Sequence, residues 1–112
     1  MIYKISPRIA WKNAETAGVF AGAPVDIKDG FIHFSAAHQL RETAARHFAG
    51  EQDLVLVVVD TDRLGEALIW EKSRGGDLFP HLYAPLLASA VTEAMDLPLD
   101  ADGMHRFPDF IP

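Results

Sequence analysis

Leu54-Val55-Leu56-Val57-Val58-Val59 is an unbroken apolar run in which every second residue or more is β-branched, and Asp60 closes it. Its length suits a strand, and apolar side chains on both faces are the pattern of a strand buried in the middle of a sheet. A central strand needs neighbours on both edges and layers above and below, so the flanking segments must supply them.

Upstream, Phe31-Ile32-His33-Phe34 reads as a strand, and Ser35 follows it as the cap of a helix running to about His47 or Phe48. Leu40, Ala44 and Phe48 recur at helical spacing and are expected to face the core, with Gly50 ending the helix. Val19 to Gly30, with Gly22, Pro24 and Asp29-Gly30, reads as loop. Before it, Ile2 to Ile5 is a short opening strand. Ser6-Pro7 is expected to start a helix, with Ser6 as cap and Pro7 at the first helical position. Trp11 and the alanines at 10, 14 and 17 give that helix an apolar side, and Gly18 stops it.

Downstream, Asp60 to Gly65 is a turn. Ala67 to Glu71 and Phe79 to Tyr83 are two further strands, joined by the Lys72 to Leu78 loop. Ser89 to Leu97 places Val91, Glu93, Met95 and Leu97 on one side of an extended segment, with a helix as the alternative. Two helices in the N-terminal half followed by strands point to an α+β fold.

The chain has 112 residues, which suits one domain spanning 1–112. A hydrophobic share of 49% with 23% charged residues is a globular composition. The N-terminal residues lack the basic start and apolar stretch of a signal peptide, and no apolar run has the length of a membrane helix. A cytoplasmic protein without a membrane partner is therefore expected. The absence of cysteine excludes disulfides, thiolate ligands and thiol nucleophiles. A formal charge of −6 argues against generic nucleic-acid binding, while leaving room for a local anion pocket.

Chemistry is concentrated in two segments. Alternation puts Phe31, His33 and Ser35 on one strand face, and Phe79, His81 and Tyr83 on one face of the later strand. If these faces meet across a cleft, they offer rings for stacking and several hydrogen-bonding groups. Ser35 at a strand-to-helix junction brings the N–H groups of residues 36 to 38 near the cleft, which favours phosphate or carboxylate. Lys72 and Arg74, in a loop with two glycines, are candidates to close over an anion. Glu71 is the best-placed carboxylate for general base work or for holding a hydroxyl. The plainer alternatives are that both histidines are core residues, Ser35 is only a cap, Phe79 and Tyr83 are core, and Glu71, Lys72 and Arg74 are solvated. His38, His47 and His105 receive no role. No tight histidine ligand pair is present, so no metal is assigned.

Asp29-Gly30-Phe31-Ile32-His33-Phe34-Ser35, Trp70-Glu71, Phe79-Pro80-His81-Leu82-Tyr83, Asp102-Gly103 and Phe107-Pro108 together resemble the bacterial family known as domain of unknown function 952. The likeness spans essentially the whole chain. It implies an ADP-ribosyltransferase-like fold, with two small, mostly antiparallel sheets forming a cleft and NAD as a candidate substrate or ligand. In that likeness Ile2 to Ile5 matches the first cleft strand, with Lys4 where relatives tend to have His. Residues 30 to 35 match the strand that packs the nicotinamide, with His33 in place of Tyr or Ser. Phe79 to Tyr83 matches the strand that usually carries a catalytic glutamate, and here carries His81.

Two functions follow from this sequence. One is an enzyme acting on NAD or another nucleotide-type substrate, with Lys4 and the helix start on phosphate, Phe31 and Tyr83 stacking, and His33, His81 and Glu71 as the catalytic candidates. The other is a non-catalytic nucleotide or small-molecule binding domain, or an interaction domain with a vestigial cleft. Substrate binding is assigned to Lys4, Phe31, Ser35, Lys72, Arg74, Phe79 and Tyr83.

Overall fold

The computed structural model describes residues 1–112, except for the side chain of Arg74. Along the chain run β1 (Ile2–Pro7), α1 (Arg8–Ala17), β2 (Val19–Phe20), α2 (Pro24–Asp29), β3 (Ile32–His33), α3 (Leu40–His47), β4 (Leu54–Val59), β5 (Leu68–Lys72), β6 (Leu78–Leu82), β7 (Leu86–Leu87) and β8 (Val91–Leu97). The fold is α+β, with three helices and sheets whose pairings are all antiparallel.

The apolar run of β4 occupies the middle of a sheet ordered β1-β4-β8, and every residue in it is buried. Its two faces serve two cores. Val55, Val57 and Val59, with Ile2, pack against Trp11 and Ala14 of α1 and against Phe20, Ile32, Leu82 and Leu86. Leu54, Leu56 and Val58, with Tyr3 and Ile5, pack against Leu40 and Ala44 of α3 and Ile111 of the C-terminal tail. Each large aliphatic side chain removed from water contributes about 1.5–3 kcal/mol, so this strand anchors both layers.

A second sheet is ordered β3-β6-β5, and β2 pairs with β7. The two larger sheets are joined where the Tyr3 N–H donates to the Ser35 carbonyl at 2.9 Å and the Ser35 N–H donates to the Tyr3 carbonyl at 2.8 Å. Beyond that bridge the outer edge of β1 is free to line a cavity.

Several expectations change. The first helix begins one residue later than expected: Ser6 and Pro7 end β1, Pro7 is the N-cap residue of α1 instead of its first helical residue, and the Ser6 hydroxyl caps nothing but donates to the Pro7 carbonyl. Residues 19–30 are not all loop: they hold β2 and the short α2, bracketed by Pro24 at its first turn and Gly30 in the left-handed conformation. Ser35 does not cap a helix, because a 3₁₀ turn at Ala37–Gln39 intervenes and α3 starts at Leu40. The helices therefore number three and not two. Ser89 to Leu97 resolves into strand β8 from Val91, because pairing with β4 overrides its weak alternation.

Candidate functional site

The residues singled out in the two motif strands lie side by side in one sheet, not across a cleft from each other. In the β3–β6 ladder His33 is directly opposite His81, and in the β5–β6 ladder Ile69 is opposite His81 and Glu71 opposite Phe79. Glu71 is thus a diagonal neighbour of His81 on the same face, within reach of a long side chain. The Phe31 ring completes the group. It stacks on His81 with centroids 4.1 Å apart and lies 4.6 Å from His33 and 5.2 Å from Tyr83.

Each histidine has its own carboxylate. His81 Nδ1 donates to Glu71 Oε1 at 2.9 Å, and the Tyr83 hydroxyl donates to the same oxygen at 2.6 Å. These two donors, Tyr83 first, hold the Glu71 carboxyl below its ordinary range, and Glu71 in turn raises the Tyr83 phenol. With Nδ1 committed to Glu71, Nε2 is the His81 nitrogen left without a partner among the described residues.

His33 is held by α2. Its Nδ1 lies 2.7 Å from Asp26 Oδ1 and its Nε2 lies 2.9 Å from Asp29 Oδ2. A neutral ring can donate through only one nitrogen, so the imidazolium is the form that satisfies both carboxylates. Asp26 is the hub. Its side chain is fully buried, accepts from the backbone N–H groups of Ala23 and His33, and pairs with Lys4 Nζ at 3.2 Å. Burial pushes its pKa up, but the bond to His33, the Lys4 charge and the two N–H groups outweigh that and hold the carboxyl at about 2. Lys4 also donates to the His33 carbonyl at 2.9 Å. Burial pulls its pKa below the ordinary lysine value, with Asp26 opposing. An ammonium has three donors, and among the described residues two of them are used.

A cavity of about 1000 Å³ runs along β1 and is lined by Lys4, Asp26, His33, Ser35, Phe79 and His81 among others. Its size falls in the range of small-molecule sites. Pro24 and Val25 of α2 also line it, as do Thr43, His47 and Phe48 at the end of α3.

The structure brings Lys4, His33 and His81 to one cavity, and Phe79 joins them as a buried wall. Phe31, Glu71 and Tyr83 do not line it: Phe31 is packed on the histidines, and the Tyr83 hydroxyl is spent on Glu71. Ser35 lines the cavity, but its hydroxyl lies 3.0 Å from that of Thr43, and the Ala36 N–H is occupied by the Gln39 side chain. No helix starts at Ser35, and of the three N–H groups expected to meet an anion there the Ala36 one is already taken. Lys72 is exposed, and strand alternation turns it to the face opposite Glu71. The side chain of Arg74 lies outside the described residues. Among the described residues no group of three His, Cys, Asp or Glu side chains is placed to hold a metal ion, and no helix is long and apolar enough to cross a membrane.

Asp26 and Asp29 lie in the 19–30 stretch, whose Gly22, Pro24 and Asp29-Gly30 give it the composition of a loop. The Pro24-to-Gly30 bracket, proline at a helix start and glycine just past its end, was the signal available.

These features define a small α+β protein of antiparallel sheets and three helices, with a histidine-lined cavity beside an edge strand. The chain belongs to the family described as "Protein of unknown function (DUF952)", which matches residues 5–94. It is similar to protein CC0527 from Caulobacter crescentus. Against the crystal structure of that protein the identity is 55% and the TM-score 0.89, covering 94% of this chain and 92% of the other. Against its solution NMR structure the identity is 56% and the TM-score 0.83, covering 92% and 89%. No curated protein matches the chain.

Proposed function

We propose that the cavity binds a small nucleotide-type molecule and that His81 transfers a proton to or from it. The observation that carries this reading is the pairing of His81 Nδ1 with Glu71 while Nε2 keeps no partner among the described residues. A carboxylate that fixes the tautomer and stabilises the charged ring is what a histidine base needs. Lys4, with one donor unspent, is suited to an anionic group of the ligand.

The ADP-ribosyltransferase resemblance supports the ligand class. In that likeness a glutamate on the last motif strand holds a ribose hydroxyl. In this chain Glu71 comes from the neighbouring strand and is committed to His81 and Tyr83, so His81 takes the position next to the ligand. A proton–nitrogen NMR titration with AMP, ADP-ribose and NAD tests binding, and chromatography of the same mixtures tests turnover. Saturable shifts at Lys4, His33 and His81, with product formation abolished in His81→Ala, support the proposal. The absence of both sinks it.

A non-catalytic binding role is favoured by one observation: Lys4, Asp26, His33 and Asp29 neutralise one another within the protein. That reading expects the same shifts without product.

A further inference from the structure

We propose that the C-terminal turn of α2 is a pH-sensitive latch on the cavity, closed while the His33 ring is charged and released when the ring is neutral. That the release serves ligand entry rests on the binding role proposed above, whereas the movement itself does not. The attachment of α2 is unusual. Among the described residues, none of its apolar side chains belongs to either core, and Val25 and Ile27 are 55% and 67% exposed. Asp26 is its one buried residue. A helix is ordinarily held by an apolar face. This one is held by two carboxylates, while Pro24, Val25, Asp26 and Asp29 line the cavity. Gly30 follows it at φ +86°, a joint that glycine adopts without steric cost.

The two carboxylates are not equivalent. Asp26 keeps Lys4 and the N–H groups of Ala23 and His33 whatever the state of the ring. Asp29 has only the ring: its Oδ2 lies 2.9 Å from His33 Nε2, it has no other partner among the described residues, and its side chain is 40% exposed. Asp29 is also the last residue of α2, where the partial negative charge of the helix end disfavours a carboxylate unless a cation faces it.

A charged His33 donates to both carboxylates, and a neutral ring keeps one N–H. That proton stays on Nδ1, because the fully buried Asp26 oxygen 2.7 Å away cannot turn to water, whereas Asp29 can. Loss of the other proton therefore breaks the Asp29 contact and frees the last turn of α2 to swing about Gly30. The remaining charged or titratable groups facing His33 are Lys4 of β1, which donates to its carbonyl, and His81 of β6, whose ring centroid is 5.5 Å away and which is bound to Glu71 of β5. None of these is bonded to Asp29, so none replaces the lost donor.

Backbone hydrogen exchange of the full chain, without ligand, tests the latch through the Gly30 and Phe31 N–H groups, both of which donate to the Asp26 carbonyl. Their protection is compared at about pH 5.5 and about pH 8, across the interval in which histidines ordinarily change charge. It is expected to fall about fivefold, in step with the ring-nitrogen shifts of His33, while the amides of β4 keep theirs. Asp29→Ala is expected to show the lower protection at both pH values, even though alanine is the better helix former and relieves the dipole. Wild-type protection that is equal at the two pH values overturns the proposal. So does an Asp29→Ala variant protected as strongly as wild type at about pH 5.5. Adding AMP to the same samples reads binding separately, so failure of the latch and failure of the binding role are told apart.

Discussion

His33 and His81 sit directly opposite each other in the β3–β6 ladder with ring centroids 5.5 Å apart, yet each is bound to a different carboxylate. His33 has both nitrogens engaged, whereas His81 has one. Two histidines in one register position thereby have different surroundings, and the proposed function gives proton transfer to the one whose second nitrogen has no partner among the described residues.

Asp26→Asn should destabilise the fold by about 3 kcal/mol, because it leaves the Lys4 ammonium buried without its counter-charge. Lys4→Met should cost less, since Asp26 keeps His33 and two backbone donors. Urea unfolding of the two variants measures the order. A Lys4→Met variant less stable than Asp26→Asn would contradict the hub role of Asp26.

Acid should unfold the protein through the same carboxyl. The native pKa of Asp26 is about 2, below its ordinary value of 3.8. A depressed carboxyl contributes stability that is complete above the unfolded value and is lost as pH falls from about 4 toward 2. That contribution is about 2 kcal/mol. Wild type should lose stability over this window more steeply than Asp26→Asn, as read from unfolding free energies at stepped pH.

Glu71→Gln should lower the Tyr83 phenol toward its ordinary value, because the carboxylate that raises it is gone. The chain has two tyrosines, so ultraviolet titration of wild type, Tyr83→Phe and Glu71→Gln isolates the signal. The same variant should release the His81 tautomer, seen as a change in ring nitrogen shifts. Unchanged shifts would mean that Glu71 does not orient His81.

Gly22→Ala should cost about 2 kcal/mol. Gly22 has φ +123°, and a Cβ there would stand 2.9 Å from Asp26 Cβ, pushing the hub carboxylate off its partners. Gly18→Ala, at φ +78° with nothing within 4 Å of the new Cβ, should cost less and leave ligand shifts unchanged. Thermal melts and NMR spectra of both variants make the comparison.

Periodicity and composition alone determined much of this protein. The β-branched run of β4 is buried because none of its side chains is polar, so neither face of the strand suits water. Leu40 and Ala44 repeat at helical spacing, so α3 presents them to a core. The two motif strands were likewise readable, since alternation sorts His33 from Ile32 and His81 from Leu82 without any tertiary information. Pairing was not readable. That His33 lies beside His81, that Glu71 reaches His81 diagonally, and that Asp26 rises from a turn-rich stretch to hold Lys4 and His33 depend on strand order and on contacts between residues far apart in the chain. A lone carboxylate in a sequence gives no sign of its burial, because its partners are chosen by packing. Local propensity and side-chain alternation are properties of a segment. Register between segments is a property of the whole, settled by which arrangement buries the apolar faces and leaves each buried charge with a partner.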